Sequence, residues 1–332
     1  MTTRSFSQPR RTVMHLAAAA LCLLGTAGAA HAQAQPWPAK PIKIVVGFAP
    51  GGTTDVMARV MAQSLSEALG QPVLVDNKPG ASGNVAASEV IRAAADGYTF
   101  MVAPTSVETA NPSLFKQTIL PSRDLTPVVG VGRSQMYLVV KPQMVAKDAK
   151  ELVSMIKADS GKFSYASAGP GTPPHLAGEL FNKVLGVPVA HIPYRGAAPA
   201  LQDVMAGQAD YAFDPGISFP HVRSGKVRML AVAGTKRSSF FPEVPTLSEL
   251  GFKGAELDIW FGLWAPNGTP PEITARMGRE VAKALAQANT KTRYEALGAE
   301  PVGMDTAEFR KLLADEGRML SALIKERKIV LE

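Results

Sequence analysis

The sequence predicts an α/β protein of two lobes with a hinge and a cleft between them. Three observations carry this. Short β-rich runs alternate with helical patterns, the rhythm of α/β folds. That rhythm restarts near the middle of a 332-residue chain, long enough for two cores of about 150 residues each. No low-complexity linker parts the halves and no internal repeat is visible, so the chain is expected to cross between the lobes more than once.

The first series opens with Ile42-Lys43-Ile44-Val45-Val46-Gly47-Phe48, which reads as a buried strand. Val56, Met57, Val60, Met61, Leu65 and Leu69 then recur at helical spacing, and Gly70 closes the helix. Residues 73–75 read as a second strand, 85–95 as a helix and 98–103 as a third strand. The second series runs through a strand over 136–140, a helix over 149–158, a strand over 163–167, a helix over 174–185 and a strand over 189–194. Strands over 211–214 and 228–233 follow. Ile273, Met277, Val281 and Leu285 line one C-terminal helix; Phe309, Leu312, Leu313, Leu320 and Leu323 line another. The lobes are expected over 37–139 with 260–332, and over 140–259.

The composition is 46% hydrophobic and 19% charged, with 29 Gly, 26 Pro and one Cys, which fits neither a disordered chain nor a disulfide scaffold. Residues 1–32 read as a cleaved export signal. Arg4, Arg10 and Arg11 form a basic head, residues 13–30 an Ala/Leu-rich core, and Ala30-His31-Ala32 the small-residue cleavage site before Gln33. Cleavage after Ala34 fits nearly as well. Arg10-Arg11 matches a twin-arginine signal only weakly, and Leu21 before Cys22 is a poor lipidation context. Apart from this segment no apolar run reaches the roughly 18 residues of a spanning helix, so a periplasmic protein that does not itself span the membrane is expected. The net charge of +7 loses three arginines and no acids with the signal, leaving about +4, and the only cysteine goes too. The basic residues form no run and no aromatic interleaving, so a nucleic-acid partner is not expected. A slightly basic surface suits a small anion.

Four loops share one design: a strand ends and a Gly/Pro/Thr/Ser loop opens a helix. The first is Phe48-Ala49-Pro50-Gly51-Gly52-Thr53-Thr54-Asp55. Its glycines let backbone approach a ligand, the following helix supplies free N–H groups and a positive dipole end, and Thr53 and Thr54 add hydroxyls. Asp55 is read as a structural cap in the first turn. The second is Ser167-Ala168-Gly169-Pro170-Gly171-Thr172-Pro173-Pro174-His175, with Thr172 at the N-cap and Pro173 at the first helical position. His175 taken alone reads more readily as a structural histidine than as a ligand contact. The third, Pro193-Tyr194-Arg195-Gly196-Ala197-Ala198-Pro199, adds a guanidinium suited to a carboxylate. The fourth is Asp214-Pro215-Gly216-Ile217-Ser218. Ligands of α/β sheets sit at the carboxyl ends of strands, where such loops lie. Four of them on two lobes point to a shared anion cleft.

Along essentially the whole mature length the chain resembles the substrate-binding proteins of tripartite tricarboxylate transporters, the Bug family. The matching stretches are Trp37-Pro38-Ala39-Lys40-Pro41-Ile42, Pro50-Gly51-Gly52-Thr53-Thr54-Asp55, Asp76-Asn77-Lys78-Pro79-Gly80-Ala81-Ser82-Gly83-Asn84 and Asp96-Gly97-Tyr98-Thr99. Further matches are Tyr165-Ala166-Ser167, His175-Leu176-Ala177-Gly178-Glu179, His191-Ile192-Pro193-Tyr194-Arg195-Gly196, Gly225-Lys226-Val227-Arg228 and Trp260-Phe261-Gly262. The resemblance implies a hinge-closing, two-lobed periplasmic binding protein of the type II, Venus-flytrap kind. It implies a small carboxylate ligand and delivery to a two-component membrane permease. The first two loops would clamp one carboxylate from opposite lobes, and Ser106, Arg195, Asp214 and Trp260 would face its far end. The chain departs from the usual pattern at Ala168, Pro170, Pro173, Pro215-Gly216 and Arg195, which bears on which ligand is held.

An enzyme is the weaker reading. There is no G-x-S-x-G elbow, H-E-x-x-H, Walker loop or Rossmann fingerprint. The mature histidines His175, His191 and His221 lack close metal-ligand spacing, so no metal and no cofactor is expected. A periplasmic hydrolase using a Ser167–His175 pair is the alternative, and a ligand-dependent partner of a membrane sensor kinase is another.

Overall fold

The computed structural model describes Thr2, residues 37–116 and residues 121–329. Apart from Thr2, the export segment expected over 1–32 lies outside the described residues. In chain order the first region holds β1 (Ile42–Val46), α1 (Thr53–Leu69), β2 (Val73–Asn77), α2 (Asn84–Ile91) and β3 (Thr99–Pro104). Three short helices, α3 (Ser106–Thr109), α4 (Asn111–Leu114) and α5 (Pro121–Asp124), lead into β4 (Leu125–Gln135). The second region runs β5 (Tyr137–Val140), α6 (Ala149–Ala158), β6 (Ser164–Ser167), α7 (Pro173–Leu185), β7 (Ala190–Pro193), α8 (Ala197–Ala206), β8 (Tyr211–Asp214), α9 (Phe219–Arg223) and β9 (Arg228–Val232). The chain then returns through β10 (Asp258–Pro266), α10 (Pro271–Ala286), α11 (Ala288–Glu295), β11 (Ala299–Glu300) and α12 (Thr306–Arg327).

Two mixed sheets result, one per lobe. The first has the order β11-β4-β10-β3-β1-β2 and the second β7-β6-β8-β5-β9. In the first, β1 runs parallel to β2 and β3, while β10 is antiparallel to β3 and β4. In the second, β6 is parallel to β7 and β8, and β5 is antiparallel to β8 and β9. Parallel neighbours need a helical crossover, which explains why the β1–α1–β2 and β6–α7–β7 units each place a loop at the carboxyl end of a strand.

The chain changes sheet first at Met136, ahead of the expected 139/140 boundary. Tyr137 already pairs with Asp214 on one side and Val232 on the other. It returns between β9 and β10. The two crossings lie side by side: the Ala233 N–H donates to the Met136 carbonyl at 2.7 Å and the Leu257 N–H to the Ala233 carbonyl at 2.6 Å. Each lobe has its own aromatic core. Trp264 meets Phe309 edge-on at 5.1 Å in the first, and Tyr137 meets Phe219 at 4.9 Å in the second. Such pairs add about 0.5–1.5 kcal/mol beyond the area they bury.

The expected strands and long helices recur with ends shifted by a few residues, but β4 and β10 escaped the periodicity reading. Both carry glycines inside the strand, a composition that reads as turn or bulge. The reason for Gly262 is tertiary: a Cβ there would collide with the Phe309 ring of α12, so only glycine lets that helix pack on the sheet.

Candidate functional site

The corner between β1 and α1 leaves polar groups open. Gly52 is the N-cap of α1 and offers no side chain to its first turn. Asp55, within that turn, folds back instead. Its carboxylate accepts the Gly51 N–H at 2.8 Å, Arg59 Nε at 3.0 Å and Asn77 Nδ2 at 2.9 Å. Burial alone would raise this carboxyl, but the bonds from Arg59, Gly51 and Asn77 hold it below the ordinary value. Asp55 is therefore a cap, as its position suggests. The first helical bond runs from the Val56 N–H to the Gly52 carbonyl at 3.0 Å, so the N–H groups of Thr53, Thr54 and Asp55 have no partner within the helix. Thr53 Oγ1 is buried and makes no hydrogen bond among the described residues. An unpaired buried hydroxyl of this kind costs about 1–3 kcal/mol unless something fills its place.

The corner between β6 and α7 spends three of its N–H groups on itself. The Gly169 N–H donates to Ser167 Oγ at 3.0 Å and the Gly171 N–H to His175 Nδ1 at 2.9 Å. The Thr172 N–H and hydroxyl both donate to the Gly169 carbonyl, at 3.2 and 2.6 Å. Pro170, Pro173 and Pro174 have no N–H to give. His175 turns away from the cleft and stacks on His191 at 4.3 Å. The two rings line an outward-facing pocket with Glu179 and Lys183. Burial pushes both histidines down to about 4, His191 also through its neighbour His175. Ser167 Oγ pairs with His191 Nε2 at 2.6 Å, not with His175 as the hydrolase reading required.

The third and fourth loops complete the enclosure. The Arg195 carbonyl accepts the Ala49 N–H at 3.0 Å, a direct bond between lobes, and Ser82 Oγ donates to the Pro170 carbonyl across the same gap. In α8 the first helical bond is from the Ala200 N–H to the Gly196 carbonyl at 3.5 Å. Pro199 lacks an N–H, so the N–H groups of Ala197 and Ala198 are the open donors of that terminus. The Asp214 carboxylate accepts the N–H groups of Gly216 and Ser218 at 2.7 and 2.9 Å. Burial raises this carboxyl above its ordinary value despite those bonds. Ser134 Oγ holds the Pro215 carbonyl at 2.6 Å. Gly216, at φ +113°, has the Leu297 backbone where a side chain would stand, so this turn tolerates glycine alone.

These corners surround a narrow cavity of about 40 Å³ between the lobes. Of the residues expected from sequence, the structure brings Phe48, Gly52, Thr53, Thr54, Ala168, Thr172 and Ala197 to its wall. Ser167 and Asp214 line an adjoining cavity of about 10 Å³, together with Ala168 and Ala197. Gly169 and Arg195 line a wider neighbouring opening of about 410 Å³, which shares Phe48 and Ala168 with the first. Gly51, Ser106, Gly171, His175, Gly196 and Trp260 are not on the wall of the 40 Å³ cavity. Gly171 packs toward Leu114 and Phe115, and Gly196 toward Ala49. Ser106 is buried two residues past Pro104, the strand residue that does reach the cavity.

Sequence reasoning missed Pro104, Ile259 and Phe261 on the wall, and it counted Pro173, Pro174 and Pro215 as loop residues only. Trp260 was expected, yet its two neighbours face the cavity. Successive strand residues point to opposite faces, and Trp260 stands on the other one, with the Arg133 guanidinium 5.6 Å from its ring. The available signal was that alternation, once 258–266 is recognised as a strand.

Among the described residues no group of three or more His, Cys, Asp or Glu is gathered to hold a metal ion, and no helix is long and apolar enough to cross a membrane. The profile of the tripartite tricarboxylate transporter family receptor family, TctC, matches residues 57–329. The protein BugT of Bordetella pertussis, strain Tohama I, is 36% identical over 312 residues, covering 91% of this chain and 94% of BugT. Among solved structures, the periplasmic binding protein BugD is 33% identical with a TM-score of 0.85, covering 89% of this chain and 100% of BugD. MatC from Rhodopseudomonas palustris with bound malate is 33% identical with a TM-score of 0.82, over 87% of this chain and 100% of MatC. A second R. palustris protein, with adipate, is 33% identical with a TM-score of 0.86, over 89% of this chain and 100% of its own.

Proposed function

Since the chain belongs to the tripartite tricarboxylate transporter receptor family, whose members are periplasmic solute-binding proteins rather than enzymes, we propose that it captures a carboxylate-bearing small molecule between its lobes and delivers it to a two-component membrane permease. The observation that carries the ligand class is Thr53 Oγ1, buried at the cavity wall with no partner. Beside it stand the unpaired first-turn N–H groups of α1, and on the opposite lobe those of α8. Two helix N-termini aimed at one space favour a negative group there without a full counter-charge. The relatives with malate and adipate support a carboxylate.

The clamp in this reading differs from the one the resemblance implies. Its donors come from the first and third loops, because the second loop spends the N–H groups of Gly169, Gly171 and Thr172 internally. Ala168 and Thr172 then shape the wall, while Ser167, Gly169, Gly171 and His175 lie off it. Ligand in the gap adds contacts to both lobes only when they are closed, so it favours the closed form that docks on the permease. The paired crossings at Met136 and Ala233 serve as the hinge, dividing lobes of 38–136 with 258–329 from 137–257. Residues 1–32 act as the cleaved export signal; the N-terminal sequence of the protein recovered from periplasm is expected to begin at Gln33 or Gln35.

Thermal unfolding against mono-, di- and tricarboxylates, amino acids and phosphate tests the ligand class. A ligand at about 100 times its dissociation constant adds about 2.7 kcal/mol of stability. Stabilisation by phosphate or sulfate alone would remove the carboxylate while leaving the anion cleft.

A further inference from the structure

We propose that the ligand of this cleft is a monocarboxylate with a compact apolar body, and that di- and tricarboxylates are rejected. The inference rests on the carboxylate reading above and adds the shape and charge of the rest of the molecule.

The cavity has one polar pole. Thr53 Oγ1 belongs to a residue 3% exposed, it lines the cavity, and it has no hydrogen-bond partner among the described residues. That orphaned hydroxyl, together with the α1 and α8 termini, marks where one carboxylate goes. The rest of the lining is mostly apolar and includes Phe48, Pro104, Pro215, Ile259 and Phe261. No charged side chain lines this cavity. The prolines matter twice, since each presents apolar ring and withholds the backbone N–H that a second carboxylate would need.

The nearby cations stand off the cavity wall. Arg195 is exposed and lines the neighbouring opening rather than the cavity itself. Arg133 pairs with Glu300 at 2.6 Å and lies over the Trp260 ring. The adjoining cavity, which shares Pro215 with the first, offers the Asp214 carboxyl, which already occupies the N–H donors of Gly216 and Ser218. A second negative group pushed that way meets an acceptor and like charge. A carboxylate buried there without donors loses at least about 100-fold in affinity relative to an apolar group of similar size.

The test is calorimetric titration of the purified protein with benzoate, 2,2-dimethylpropanoate, malate, adipate and citrate. The expected result is that benzoate or 2,2-dimethylpropanoate binds at least 100-fold more tightly than malate, adipate and citrate. Malate or adipate binding as tightly as the best apolar monocarboxylate overturns the proposal and leaves the carboxylate reading standing. Phosphate binding with no carboxylate bound overturns both. An Ile259→Arg variant, checked for folding by circular dichroism, supplies the missing cation. It is expected to move the adipate-to-benzoate affinity ratio at least tenfold toward adipate, and an unchanged ratio in the folded variant places the apolar body elsewhere and overturns the proposal.

Discussion

The β1–α1 corner of one lobe and the β6–α7 corner of the other are written in the same residues, glycine and threonine after a strand and before a helix, yet they end in opposite states. In the first, the capping side chain is Asp55, which reaches back to Gly51 and leaves Thr53 and the first-turn N–H groups open. In the second, Ser167, His175 and the Gly169 carbonyl take up the N–H groups of Gly169, Gly171 and Thr172, and three prolines have none to give. A glycine loop before a helix is thus an anion site only when its caps bond outward or backward, away from the helix end. In the proposed clamp the second corner is shaped wall and the first is grip.

Acid is expected to separate the corners most sharply. His175 and His191 are held near 4 when folded and sit near 6.5 when unfolded. The unfolded chain therefore binds more protons between those values, and stability present above pH 6.5 is lost as pH falls toward 4. For His175, only 5% exposed, this amounts to on the order of 3 kcal/mol. Asp55, held below its ordinary value, stays ionised over that window. Urea titrations at pH 7, 5.5 and 4.5 should show the loss, and a His175→Ala variant should flatten it; equal slopes in both proteins would refute the assignment.

Asp55→Ala attacks the other corner. It strands the Gly51 N–H and Asn77 and frees Arg59, with an expected cost of about 2 kcal/mol, discounted because Arg59 is half-exposed. The loop should also lose ligand affinity at pH 7, which a denaturation curve and a titration read separately. Full affinity in the folded variant would detach the cap from the grip.

Thr53→Val keeps the shape and removes the open hydroxyl. The unliganded protein should gain about 1–3 kcal/mol of stability, because an unpaired buried hydroxyl is removed, while carboxylate affinity falls about tenfold, or 1.4 kcal/mol. An unchanged dissociation constant would mean that Thr53 does not touch the ligand. The smallest effect is expected from Pro173→Ala, which restores one N–H to the closed corner. Stability should drop by less than about 1 kcal/mol through loss of the preset backbone angle, and anion affinity should rise about two- to threefold.

Much of this molecule was legible in one dimension. Alternating apolar periods give the α/β order, because buried faces recur at intervals of about 2 and 3.6 residues whatever lies opposite. The four loops, the capping role of Asp55 and the family resemblance likewise come from local residue types. What escaped was set by partners far away in sequence. Gly262 reads as a strand breaker until Phe309 is placed against it, Trp260 reads as a contact until strand pairing turns Ile259 and Phe261 inward, and Ser167 reads as a partner of His175 until β7 brings His191 beside it. Local pattern decides which groups can donate. Only tertiary packing decides which of them are already satisfied, because a hydrogen bond is consumed by whichever acceptor folding brings within reach.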